Sequence, residues 1–196
     1  MSIEQLHKDI IQRIKISIEE WHLDITKFKK QALIKKTHKS TFYMIQEKET
    51  NNVYIAKIFN QDMNVYSKYI KNNLPRTLQI ISSLDHLSIL KFKGFIPVNF
   101  QNKPNLVLVS EFCPNGKLSD LLKNVRKNTG DISNFTSTKK LINIYGIASA
   151  MRYLHSKNII HQKLQSIQFF LMNHIIQNYQ IIFINSKNQQ NHLKYI

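Results

Sequence analysis

The sequence predicts an α+β fold, in which a five-stranded antiparallel sheet carrying one helix is followed by a mainly helical region. Three observations carry that expectation. Apolar residues alternate or run in short blocks over residues 31–36, 41–48 and 53–59, and again over 89–96 and 105–112. Blocks of that length, bounded by polar breaks such as Glu49-Thr50-Asn51-Asn52, form strands joined by tight loops. Pro114-Asn115-Gly116 is a turn that closes the sheet region. Residues 138–157 then place Leu141, Ile144, Ala148, Met151 and Leu154 on one helical stripe, widened by Tyr145 and Ile147.

The remaining elements follow in chain order. Ile3, Leu6, Ile10, Ile14, Ile18 and Trp21 recur at spacings of three and four, so residues 1–25 are expected to form an amphipathic helix that docks on its own domain or on a partner. Its polar face mixes Glu4, Asp9, Glu19 and Glu20 with lysine, which argues against a membrane surface. Pro75 opens the helix between the third and fourth strands, with Leu74, Leu78, Ile81 and Leu84 on one face, because proline is tolerated in a first helical turn. A further helix is expected from Leu118. Asn-Gln-Gln-Asn at 188–191 marks residues 188–196 as a tail.

Composition bounds the function. A chain of 196 residues with 42% hydrophobic content builds one or two domains with a real core. Its one cysteine, Cys113, forbids an intrachain disulfide and fits a reducing, cytoplasmic setting. The first residues hold no apolar signal-peptide core, and the most apolar late stretch, 167–184, is broken by Asn173, His174, Gln177, Asn178 and Gln180, so no membrane span is expected. The net charge of +16 comes from lysines scattered through all elements, without a dense basic block or an aromatic-interleaved stripe. A solvated basic surface is expected rather than a nucleic-acid site.

Two runs carry a family resemblance. One is Leu84-Asp85-His86-Leu87-Ser88-Ile89-Leu90-Lys91-Phe92; the other extends from Leu141-Ile142-Asn143-Ile144-Tyr145-Gly146-Ile147-Ala148 through Tyr153-Leu154-His155-Ser156 to Ile159-Ile160-His161. With the order of strands and helices, they make residues 26–187 resemble the eukaryotic protein kinase family, nearest its tyrosine-kinase-like branch. The resemblance implies a small lobe over 26–112 and a partial large lobe over 113–187.

It also implies a set of functional positions, and most carry the wrong chemistry. Phosphoryl transfer needs a glycine loop, a strand lysine paired to a helix glutamate, a catalytic aspartate and two metal ligands. The loop would run from Ile34 to Tyr43, with Lys35, Thr37 and Ser40 where the family has glycine, so side chains would block the approach of phosphate to the backbone; a plain β-hairpin is the competing reading. Lys57 matches the phosphate-contacting lysine, or is a strand residue reaching solvent. Its helix partner would be Thr77, which cannot form an ion pair. In His161-Gln162-Lys163-Leu164-Gln165-Ser166-Ile167-Gln168, Lys163 stands at the general base and Gln168 at the metal-binding asparagine. Ile182 stands at the second metal-binding aspartate. Phe42, Ile55 and Phe170 would fill the purine space, under Ile34, with Ser110 at its rear and Glu111 to Cys113 as the hinge.

The expected function is therefore that of a truncated, inactive pseudokinase acting as a binding or regulatory module. The alternative is a weak ATP-dependent Ser/Thr kinase. No cofactor is expected, and any bound ATP would lack a firm magnesium site. Because the family's activation segment would lie beyond Ile196, the apolar face of the 138–157 helix is expected to stand uncovered. That face, or the N-terminal helix, is the expected docking surface for a protein partner.

Overall fold

A computed structural model describes residues 19–60, 76–129, 135–161, 164–171 and 179–181, with the backbone alone at Gln168 and 179–181. The helix expected over residues 3–18, the Leu74-Pro75 helix start, Lys163, Ile182 and the 188–196 tail lie outside these residues.

Strand formation follows the alternation in the sequence. β1 (Phe28–Lys36), β2 (Ser40–Glu47), β3 (Val53–Phe59), β4 (Phe92–Ile96) and β5 (Val107–Glu111) form one antiparallel sheet in the order β1-β2-β3-β5-β4. One face buries Phe28, Ile45, Ala56, Ile58, Ile96, Val107 and Val109 as a core, with Leu23, Ile25, Tyr43, Tyr54, Val98 and Phe100 packed against it. β1 starts three residues before the expected strand because Phe28 is itself core. Glu47 and Asn52 close the β2–β3 turn by a backbone bond of 2.9 Å, with Asn51 at φ 60°, a conformation asparagine tolerates.

The two outer strands differ. At β4, Trp21 and Leu23 lie alongside: the Phe95 N–H donates to the Trp21 carbonyl and the Leu23 N–H to the Phe95 carbonyl, both at 2.8 Å. Trp21 therefore belongs to the turn that follows helical Glu19, which corrects its placement on the amphipathic stripe; its ring meets Phe92 at 5.7 Å. Gly94 makes the approach possible, since a Cβ there would collide with the Trp21 carbonyl and the Leu23 side chain. β1 has no described strand on its outer side.

Residues 76–82 are helical, with Leu78 buried. α1 (Leu118–Lys127) ends at Asn128, whose left-handed backbone (φ 53°) turns its N–H back to Asn124 and Val125. α2 (Ser137–Ser156) starts at Thr136, whose hydroxyl accepts from the Lys139 N–H at 3.3 Å. A 3₁₀ turn (Ser166–Gln168) leads into β6 (Phe169–Leu171), which pairs with β7 (Tyr179–Ile181). Among the described residues no helix is long and apolar enough to cross a membrane.

The chain forms two compact units. The described residues up to Leu84 together with Lys91–Phe112 make one, and Asp85–Leu90 with the described residues from Cys113 onward make the other. Within the second unit His86 fixes Asp85–Leu90 to α2. Its Nδ1 accepts the Ser88 N–H (3.0 Å), its Nε2 meets the Ser149 hydroxyl (3.2 Å), and its ring stacks on Tyr153 at 5.0 Å. On α2, Leu141, Ile144 and Tyr145 are exposed, as expected, but the buried face runs through Asn143, Ala150 and Leu154. Leu154, expected on one stripe with Leu141 and Ile144, is buried while they are exposed.

Candidate functional site

Side chains alternate across a strand, so the residues between the core positions share the sheet's second face. Phe42 and Met44 of β2, Ile55, Lys57 and Phe59 of β3, and Leu108 and Ser110 of β5 are these residues. The register pairs Phe42 with Lys57, Lys57 with Leu108, and Ile55 with Ser110. The structure thus brings together four positions singled out in the sequence: Lys57, Phe42, Ile55 and Ser110.

Lys57 is half-buried between apolar cross-strand neighbours, and its Nζ lies 4.7 Å from the centre of the Phe59 ring. Burial pushes its ammonium from 10.5 down to about 8, because removing a cation from water favours its neutral form. An anion that bound here would have to pull this value up again. Thr77, half-buried on the 76–82 helix, brings no charge.

The turn between β1 and β2 is where the resemblance put a phosphate-cradling loop. Here it is closed on itself. The Thr37 N–H and Oγ1 both donate to the Ser40 carbonyl, at 2.9 and 2.8 Å, and the Ser40 N–H donates to Thr37 Oγ1 at 3.0 Å. Asn60 clips the turn from β3's end: its Nδ2 donates to the Thr37 and His38 carbonyls at 2.8 and 3.2 Å, and its Oδ1 accepts from Thr41 Oγ1 at 2.7 Å. Two amides that a phosphate would need, Thr37 and Ser40, are therefore already used. Sequence reading missed Asn60, and no pattern around it marks the role. Ile34 lies where β1 slips register against β2, between the Leu33↔Tyr43 and Lys35↔Phe42 pairs, and is 46% exposed.

Two hinge positions are also engaged. The Glu111 carboxylate accepts the Lys91 N–H at 2.6 Å, while the Glu111 N–H donates to the Lys91 carbonyl at 3.0 Å. That fastens the end of β5 to the start of β4. In the second unit Cys113 is buried against Leu90 and Phe170, and its carbonyl accepts the Gly116 N–H at 3.3 Å. Gly116 needs its left-handed backbone (φ 71°) to make this turn. Phe170 thus serves a local core, with the Lys117 ammonium 5.6 Å from its ring centre.

His161 is buried at 6% exposure, and among the described residues neither ring nitrogen has a hydrogen-bond partner; burial lowers its pKa. The backbone of Gln168 sits in the 3₁₀ turn before β6. Among the described residues no group of three His, Cys, Asp or Glu could hold a metal. Among the described residues the Thr37 and Ser40 amides are bonded within the turn, and burial disfavours the Lys57 ammonium.

The sequence profile described as protein tyrosine and serine/threonine kinase matches residues 32–179. Among similar proteins, 3-phosphoinositide-dependent protein kinase B of Dictyostelium discoideum is 33% identical over 123 residues, 62% of this chain and 12% of the relative. A probable serine/threonine-protein kinase PLK of the same organism is 31% identical over 131 residues, 67% of this chain and 12% of the relative. An Aurora kinase of Yarrowia lipolytica is 28% identical over 123 residues, 63% of this chain and 30% of the relative. The chain spans less than a third of the length of each.

Proposed function

The chain belongs to the protein tyrosine and serine/threonine kinase family, and we propose that it is an inactive member serving as a binding or regulatory module. The observation that carries this reading is the β1–β2 turn, whose amides bond to Thr37 and Ser40 themselves and whose carbonyls are held by Asn60. A nucleotide would have to break those bonds before its phosphates met the Thr37 and Ser40 amides. Thr77 in place of the helix glutamate, Lys163 in place of the base, and Gln168 and Ile182 in place of the metal ligands act in the same direction. Phosphoryl transfer consists almost entirely of positioning and charge neutralisation, so losing those groups together removes the chemistry.

The proposal includes placement in the tyrosine-kinase-like branch, which rests on the two motif runs, and a reducing cytoplasmic setting, which rests on Cys113 being the sequence's one cysteine. It includes no resident cofactor. A second reading, a weak ATP-dependent Ser/Thr kinase, is favoured by Lys57 on β3 and by the similarity to proteins named as kinases. Transfer of radiolabelled phosphate to the chain itself and to a general acceptor protein, with magnesium or manganese, separates the two. The module reading expects no transfer above background. Turnover that disappears in Lys57→Met would establish the second.

A further inference from the structure

The two edges of the five-stranded sheet are treated differently. β4 is covered by the backbone of Trp21 and Leu23. β1 is open: all its residues after Phe28 are exposed, and no described strand pairs with its outer side. An uncovered edge presents a row of unused backbone donors and acceptors, which templates another strand.

The charge on that edge is one-sided. Lys29, Lys30, Lys35 and Lys36 lie on β1 and Lys39 in the turn that follows, and no carboxylate occurs between Asp24 and Glu47. The flanking acids are occupied: Glu47 pairs with Lys93 (3.4 Å) and accepts from Thr50, and Glu49 pairs with Lys27 (3.8 Å). Lys30 rests over the Tyr43 ring, 4.7 Å from its centre. Among the described residues none of the five lysines pairs with a carboxylate. Lysines on an edge repel a second copy of the same strand and attract an acidic one. Exposed Leu33 and Ile34 add apolar contacts in the middle of the edge. The register slips between Lys30 and Lys35 bend it, which suits one short added strand rather than a long flat ladder.

We infer that the outer edge of β1 is a docking site for a short, acidic, extended segment of a partner protein, added to the sheet as a sixth strand. This names the partner chemistry of the binding module and rests on that reading. The two fail separately, since phosphoryl transfer overturns the module and leaves peptide binding to be measured. Strand addition draws affinity from main-chain bonds and specificity from alternate side chains, so the test removes each in turn.

The probe is a fluorescein-labelled, end-capped nine-residue peptide alternating glutamate and valine, followed by anisotropy on the full chain at low salt. The expected result is saturable binding that weakens with added salt. It is at least tenfold weaker for the same peptide with its internal amides N-methylated, and at least tenfold weaker for Lys29→Gln/Lys30→Gln/Lys36→Gln with an unchanged melting midpoint. Equal binding of the N-methylated peptide, or equal competition by a single-stranded oligonucleotide of matching charge, would reduce the edge to a general polyanion surface and overturn the inference. So would absence of binding. If the triple variant melts early, Lys29→Gln and Lys36→Gln are measured singly, and the inference requires each to weaken binding.

Discussion

Replacing Lys57 by methionine should stabilise the protein at neutral pH. The side chain lies on the sheet's second face between Phe42 and Leu108, above the Phe59 ring. Its fall from 10.5 to about 8 corresponds to about 3 kcal/mol of preference for the neutral amine. That is a ceiling, because partial solvent access relaxes the charge, and the expected gain in Lys57→Met is roughly 1–3 kcal/mol, methionine being able to fill the same space. The pH dependence carries a definite sign. Below about pH 8 the lysine is protonated in both the folded and the unfolded chain, and the full cost is present. Between about 8 and 10.5 the unfolded chain binds the proton and the folded one does not, so stability rises with pH. Urea unfolding at intervals from pH 7 to 10.5 should therefore show variant and parent separated at pH 7 and converging as pH rises through that window. A variant less stable than the parent at pH 7, or a gap that does not close, would mean that the surroundings of Lys57 favour its charge, and the reasoning about this face would fail.

Other substitutions probe the elements around that face. Asn60→Ala removes three hydrogen bonds that hold the β1–β2 turn; because Asn60 is exposed, the expected loss is about 1 kcal/mol, with faster amide exchange at Thr37 and Ser40 as the local signature. Gly94→Ala should cost at least about 2 kcal/mol, since the new Cβ meets the Trp21 main chain. Gly116→Ala, with open space around it and only its left-handed backbone to strain, should cost about 1 kcal/mol; equal losses in the two melts would contradict the packing at Gly94. His161→Phe should reduce acid sensitivity. The lowered pKa means that the unfolded state takes up the proton first as pH falls below about 6.5. The parent should lose stability there and the variant lose less, as read from melts at pH 7 and pH 5.

The sheet was legible because alternation leaves a direct trace: Ile45, Ala56, Ile58, Val107 and Val109 fall on strand positions of one parity and form the core. The start of β1 left no such trace, since Phe28 sits among lysines with one buried side chain to show for nine residues. On α2 apolarity misled, because the buried face includes Asn143 while Leu141, Ile144 and Tyr145 face solvent; a stripe drawn through the most apolar residues cannot find a buried amide. At the candidate site the family positions Lys57, Phe42, Ile55 and Ser110 could be placed from motif spacing, and the register puts them on one face. What spacing could not reveal is which backbone groups are already bonded. The Thr37–Ser40 closure depends on the rotamer of one hydroxyl, the Asn60 clip on a side chain meeting carbonyls 22 and 23 residues away, and the Lys57 shift on what surrounds an ammonium that looks unremarkable in the sequence.

The most direct measurement is a thermal melt of the full chain with millimolar ATP, with and without magnesium. A ligand that binds only the folded state stabilises it by about 2.7 kcal/mol at a hundred times its dissociation constant, which for a chain of this size moves the midpoint by roughly 5–10 °C. With the Thr37 and Ser40 amides bonded within the turn and the Lys57 cation disfavoured, the midpoint should stay where it is under both conditions. A rise in the presence of ATP that Lys57→Met abolishes would contradict the account at its centre.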